Sequence, residues 1–111
     1  MNIIARKALE SSIKHWIRMR DGKQTRDEGP YGGDCALCLT FAGEKCAGCP
    51  IEEKTGVFGC YNTPYSLANM WWRLYRAESS AENRKGWKKA ANAMIKFLRS
   101  LLPKKKKAVK P

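Results

Sequence analysis

The chain places all five of its cysteines in one segment, residues 34–65: Cys35, Cys38, Cys46, Cys49 and Cys60. They form two Cys-x-x-Cys pairs followed by a fifth cysteine, a spacing that neither helix nor strand periodicity requires. A Cys-x-x-Cys pair places two thiolates on one tight turn, and a zinc ion takes four such ligands. The spacing therefore predicts a structural zinc site that uses four of the five cysteines.

The identity of the four ligands stays open. Cys35 and Cys38 form the firmer pair, and the second pair is either Cys46 with Cys49 or Cys60 with one of those two. Only seven residues separate Cys38 from Cys46, so closing both pairs on one ion would be tight, which favours Cys60 as a ligand. His15, the only histidine, lies in a predicted helix and is interpreted as a partly exposed residue instead of a ligand.

Two other interpretations of the cysteines compete with zinc binding: an iron–sulfur cluster and disulfide bonds. The Cys49-Pro50 step is typical of the end of a ferredoxin cluster motif, which keeps an iron–sulfur cluster as the alternative cofactor, although a run of three closely spaced cysteines is missing. Disulfides are disfavoured because the count is odd and residues 1–20 do not resemble a secretory signal. The segment has few apolar residues of its own, so we expect metal binding to stabilise its fold.

Several short motifs in this segment form a longer pattern: CALC at 35–38, CAGCPI at 46–51, TG at 55–56 and CYNTPY at 60–65. With flanking residues at 8–16 and 97–103, the chain resembles a set of small cysteine-rich proteins encoded by bacteriophages and bacterial prophages. The resemblance covers most of the chain and brings no established activity with it. It implies a phage origin and a cytoplasmic setting in an infected bacterial host.

The regions that flank the cysteines have helical periodicity. Apolar residues recur at helical spacing over residues 3–20, and Asp21-Gly22 is a typical helix end. Thr63-Pro64 predicts the start of a second helix, and the Ser79 to Glu82 spacing of a capping box predicts a third that runs to about residue 102. The sequence predicts a mainly α domain over residues 1–103, in which a zinc-braced Cys-rich knuckle packs on two or three amphipathic helices, with a disordered basic tail at 104–111.

The second predicted helix contains two adjacent tryptophans. One face of this helix comprises Leu67, Met70, Trp71 and Leu74, and Trp72 and Tyr75 extend that face. Adjacent residues on a helix cannot both point to the centre of one core, so Trp71 or Trp72 is predicted to lie at an edge or a protein interface. Shared burial in a wide apolar band is the other interpretation.

Positive charge is concentrated in the C-terminal part of the chain. The net charge is +12, and residues 66–111 hold thirteen Lys or Arg against two Asp or Glu. Such a field attracts polyanions, and Lys and Arg contacts to phosphate gain free energy by counterion release without base recognition. The candidate contacts are Arg73, Arg76, Arg84, Lys85, Lys88, Lys89, Lys96 and Arg99 on the predicted helices, and Lys104, Lys105, Lys106, Lys107 and Lys110 in the tail.

No catalytic constellation is present in the sequence. It lacks a Ser-His-Asp order, a phosphate-binding glycine loop and the His-x-Glu of zinc deaminases, and a site made only of thiolates is closed and structural. We therefore predict a protein that is not an enzyme, has no membrane span and binds DNA or RNA through the backbone. The alternative is a phage inhibitor that docks on a host enzyme or defence complex, with a host protein or a nucleoprotein complex as its partner.

Overall fold

A computed structural model of the chain describes residues 1–30, 35–41, 49–55 and 63–103. Within these ranges all regular structure is helical, which confirms the mainly α prediction; the predicted tail at 104–111 lies outside them. The helices are α1 (Ile3–Arg20), α2 (Ala36–Phe41), α3 (Pro50–Thr55), α4 (Tyr65–Ala77) and α5 (Ala81–Ser100).

Helix α1 has the bounds that the sequence predicts. The Asn2 side chain accepts a hydrogen bond from the Ala5 N–H at 2.8 Å, which satisfies one donor of the first turn. Gly22 follows the helix with a φ of +72°, a conformation that costs glycine little. The buried face is wider than the predicted stripe, because it also includes the polar side chains of Ser12 and His15.

Helices α4 and α5 follow each other through a short turn, and both begin close to the predicted positions. Helix α4 begins at Tyr65, so Pro64 occupies the N-cap position one residue after the predicted cap, Thr63. The Thr63 hydroxyl still accepts the Tyr65 N–H at 3.1 Å. The start of α5 is confirmed, but the capping box is wrong by one residue. Ser80 accepts the Asn83 N–H at 3.1 Å, whereas the Ser79 hydroxyl donates to a carbonyl of α4.

Three tryptophans join the long helices. Helix α5 packs against both α1 and α4. The Trp87 ring of α5 lies 6.0 Å from Trp16 of α1 and 4.9 Å from Trp72 of α4, measured between centroids. Its indole N–H also donates to the Met19 carbonyl at 3.3 Å, so this large side chain is buried without losing a hydrogen bond.

Two short helices lie in the cysteine segment, for which the sequence predicts a Cys-rich knuckle and no helix. Six residues are too few to show a helical period, and such helices depend on tertiary contacts for stability. Helix α2 packs against α1. Leu37 of α2 and Ile51 of α3 are buried in the same apolar cluster as the long helices. The described residues of α2 and α3 therefore belong to the main core.

The hairpin of α4 and α5 contains a close contact at Gly86. A Cβ atom at this position would overlap the Trp71 ring, closer than real contacts allow. We expect Gly86→Ala to lower the free energy of unfolding by about 1 kcal/mol, because the overpacking cost outweighs the better helix propensity of alanine. In a Trp71→Ala background the ring is absent, and the same substitution should stabilise. Chemical denaturation of the four proteins measures this coupling, and equal effects in both backgrounds would contradict it.

Candidate functional site

Cys35 lies at the junction between α1 and α2. It immediately precedes α2, is half-buried, and its Sγ atom lies 3.4 Å from the Ser12 Oγ atom of α1. The same buried hydroxyl accepts the Leu37 N–H at 3.3 Å. Ser12 therefore fixes the first turn of α2, and with it Cys35, against the helical core.

Cys49 occupies the corresponding position before α3. It is buried, and its carbonyl accepts the Glu53 N–H at 3.0 Å. Cys38 lies within α2, whereas Cys46 and Cys60 lie outside the described residues. Among the side chains that the structure describes, no three His, Cys, Asp or Glu come together as a metal site. The zinc site and its iron–sulfur alternative therefore remain predictions from the cysteine spacing.

His15 is buried, which corrects the expectation of a partly exposed histidine. Its ring is 2% exposed, and its Nδ1 atom contacts the Glu28 carboxylate in the connector after α1. Glu28 also accepts hydrogen bonds from the Arg18 guanidinium at 2.8 Å and the Thr25 N–H at 3.0 Å. The His15 Nε2 atom is buried and has no hydrogen-bond partner among the described residues. This ion cluster ties the connector to α1, just before the cysteine segment begins.

The electrostatics of Glu28 follow from these contacts. Burial raises the pKa of the carboxyl, but hydrogen bonds from Arg18, His15 and the Thr25 N–H outweigh burial and lower the pKa to about 2. Glu28 is therefore ionised at neutral pH although it is buried. An ion cluster of this kind holds its members in one geometry, and removing one member leaves the others without a partner.

The cations of α4 and α5 form the second candidate site, which we call the basic surface. The ion pairs of the described residues involve Arg6, His15, Arg18 and Arg20, all on α1. No described carboxylate pairs with a cation of the basic surface, and all of these cations except the half-buried Lys88 are exposed. The surface comprises Arg73, Arg76, Arg84, Lys85, Lys88, Lys89, Lys96 and Arg99.

The two tryptophans of α4 pack toward the core, whereas one of them was predicted to lie at an edge or an interface. Trp72 is 2% exposed and contacts Trp87, and Trp71 is half-buried against Gly86. The burial pattern matches the wide apolar band more closely than an exposed tryptophan anchor. The predicted stripe of α4 instead faces outward in part, since Leu67, Met70 and Leu74 are 54%, 45% and 43% exposed. We call these three residues the apolar stripe.

Two features of the structure were not predicted from the sequence: the contact between His15 and Glu28, and the exposure of the apolar stripe. The first joins residues thirteen positions apart across a helix end, which no local period encodes. The second had a weak signal in the sequence. Ala68 and Trp72 are four residues apart, so they lie on one face of α4, beside the apolar stripe, and either face could pack on the core. Trp72 has a larger side chain to bury than any residue of the stripe, and its face is the one that is buried.

Comparisons of the chain with protein-family models, with curated proteins and with solved structures gave no match. Among the described helices, none combines the length and apolar character that crossing a membrane requires.

Proposed function

We propose that the chain is a phage-encoded accessory protein that binds DNA or RNA through backbone phosphates. The observation that supports this proposal is the basic surface, where eight cationic side chains of α4 and α5 have no carboxylate partner among the described residues. Cations left without internal partners are available to displace counterions from a phosphate backbone. The lysines at 104–107 and 110 add to the same charge.

The chemistry favours binding without base preference. Lysine contributes a point charge and reads no base edge, and phosphate contacts carry no sequence information of their own. The protein would act in the cytoplasm of an infected bacterium, where nucleic acid is abundant. A role as a coating or accessory factor requires affinity and no catalysis, which agrees with the lack of a catalytic motif in the sequence.

A structural zinc ion is part of the proposal. Four of the five cysteines would hold it, and the positions of Cys35 and Cys49 beside the core would couple the ion to the helices. When bound, zinc would cross-link the segment and stabilise its loops. Elemental analysis of the purified chain should find one zinc per chain. A brown protein with absorbance at about 400 nm would instead indicate the iron–sulfur cluster.

The placement of charge provides a direct test. Lys89 and Lys96 are exposed on α5, and Lys7 and Lys14 are exposed on α1, so each pair can be changed to glutamine with the same loss of net charge. For a fluorescent oligonucleotide of about 20 nucleotides, the α5 pair should lower affinity about tenfold, whereas the α1 pair should have little effect. An equal loss in both variants would contradict the assigned surface, because net charge alone would then account for binding.

A second candidate function is favoured by the apolar stripe. Exposed apolar side chains beside Arg73 suit a phage inhibitor that docks on a host enzyme or defence complex. Binding to a host protein would then depend little on salt and would be lost when Leu67 and Leu74 are changed to serine. Changing the exposed Ile3 and Ile4 of α1 to serine is the matched control. Binding of the stripe to anionic vesicles instead would assign it to a membrane surface.

A further inference from the structure

A recess of about 180 Å³ lies where the C-terminal ends of α1 and α4 meet the first turns of α5. It is more enclosed than the shallow depressions beside Met70 and Ser80. Its floor includes the buried Met19 and Trp87, which belong to the core and hold the walls in place. The polar side chains around it that matter here are Arg20, Asp21, Gln24, Arg76, Arg84 and Lys88.

The charges around this recess are unbalanced. Arg20 donates to both carboxylate oxygens of Asp21, at 2.9 Å and 3.3 Å, and this ion pair lowers the pKa of Asp21. The pair is neutral as a unit. Arg76, Arg84 and Lys88 then remain, and none of them forms an ion pair in the described part of the chain, although the charge of Lys88 helps to lower the pKa of Asp21. Three like charges around one concave surface repel each other unless an anion lies between them.

Two of the guanidinium groups that line the recess are held in position by other side chains of the protein. The Arg76 guanidinium lies 5.5 Å from the centroid of the buried Trp72 ring, a cation–π contact that orients it. The Arg20 guanidinium, which is paired with Asp21, also donates a hydrogen bond to the side-chain oxygen of Asn92 on α5 at 2.9 Å. A preorganised guanidinium loses less conformational entropy when a ligand binds.

We propose that this recess binds a terminal phosphate group, the dianionic monoester at the 5′ end of a nucleic-acid strand or on a small phosphorylated molecule. A phosphate monoester carries close to two negative charges and three acceptor oxygens, which suits two guanidinium forks and one ammonium. A phosphodiester within a strand would need room in the recess for the nucleotides on both of its sides. A terminal phosphate is attached on one side only and can enter the recess end-on. The strand form of this inference rests on the proposed nucleic-acid binding and names the part of the strand that the recess would take.

Gln24 adds a polar contact for the rest of the ligand. Its Oε1 atom is buried and accepts no hydrogen bond from any described residue, and its side chain lines the recess. A buried acceptor without a donor is costly, so turning the Gln24 amide into the recess to meet a hydroxyl of the ligand would relieve that cost. A sugar hydroxyl next to the phosphate is a donor of the required kind.

The test compares two fluorescent oligonucleotides of one sequence, one with a 5′-phosphate and one with a 5′-hydroxyl. We expect the full chain to bind the phosphorylated strand about tenfold more tightly. The preference should disappear in Arg84→Gln plus Lys88→Gln, and persist in Lys85→Gln plus Lys89→Gln. The control pair lies on the same helix and loses the same charge without touching the recess.

The outcomes separate the recess from the proposed function. If both strands bind equally to the unaltered chain, or if both double variants keep the preference, the recess proposal is overturned while backbone binding stands. If neither strand binds, the proposed function fails, and titration with a nucleoside 5′-monophosphate decides the recess alone. Binding that is lost in the Arg84 and Lys88 variant would then support it. No binding of the monophosphate would overturn it.

Discussion

Replacing Trp87 by alanine is expected to lower the free energy of unfolding by about 4 kcal/mol. The side chain is almost fully buried, and its ring contacts Trp16 and Trp72, so truncation opens a cavity between three helices. It also leaves the Met19 carbonyl without the indole donor. Urea denaturation followed by far-UV circular dichroism measures the loss.

Two variants control this prediction. Trp87→Phe keeps much of the ring volume and removes the indole N–H, so it should cost about 1–2 kcal/mol. Trp71→Ala truncates the same residue type at a half-buried position and should also cost less than Trp87→Ala. If Trp71→Ala destabilises more than Trp87→Ala, the centre of the core has been assigned to the wrong tryptophan.

Replacing Glu28 by alanine should lower the free energy of unfolding by about 3 kcal/mol. The reason is the loss of one member from a buried ion cluster. His15 would remain buried without an acceptor for Nδ1, and Arg18 would lose its partner. Glu28→Gln keeps the size and one acceptor oxygen, so its cost should be smaller. Thermal or chemical denaturation at neutral pH measures the order of stability, which should be the unaltered chain, then Glu28→Gln, then Glu28→Ala.

The same carboxylate makes stability depend on pH. Because its pKa is lowered on folding from 4.5 to about 2, the ionised form stabilises the fold above pH 4.5, and this contribution is lost as pH falls toward 2. The difference in free energy of unfolding between the unaltered chain and Glu28→Gln should therefore shrink over that interval. Asp21→Asn, at an exposed carboxylate, is the control and should change stability little. A difference that stays constant down to pH 2 would show that Glu28 does not hold the connector.

The parts of the fold that depend on local signals were predictable. Helix α1 is one uninterrupted amphipathic run that ends at a glycine with positive φ, so its bounds follow from propensity and capping. The start of α5 follows from serine capping, although two adjacent serines left the choice between Ser79 and Ser80 ambiguous. A helix boundary needs only neighbouring residues to specify it.

The parts that depend on tertiary packing were not predictable. Helix α4 has apolar residues around more than half of its circumference, and its packing against Trp87 decides that Trp72 faces inward while Leu67 faces outward. The burial of His15 likewise depends on Glu28 arriving from the connector. In both cases a contact distant in sequence selects between local alternatives. The recess that includes Gln24 arises in the same way, from three helix ends that meet only in the folded chain.

Salt dependence of binding tests the central claim most directly, that unpaired cations of α4 and α5 contact a phosphate backbone. The measurement is the dissociation constant of the full chain for one oligonucleotide between about 50 and 200 mM salt. We expect log affinity to fall linearly with log salt, with a slope magnitude that drops by about 1–2 when Lys89 and Lys96 become glutamine. The claim would be contradicted by an affinity that does not change over this range of salt, or by a slope that is the same in the double variant as in the unaltered chain.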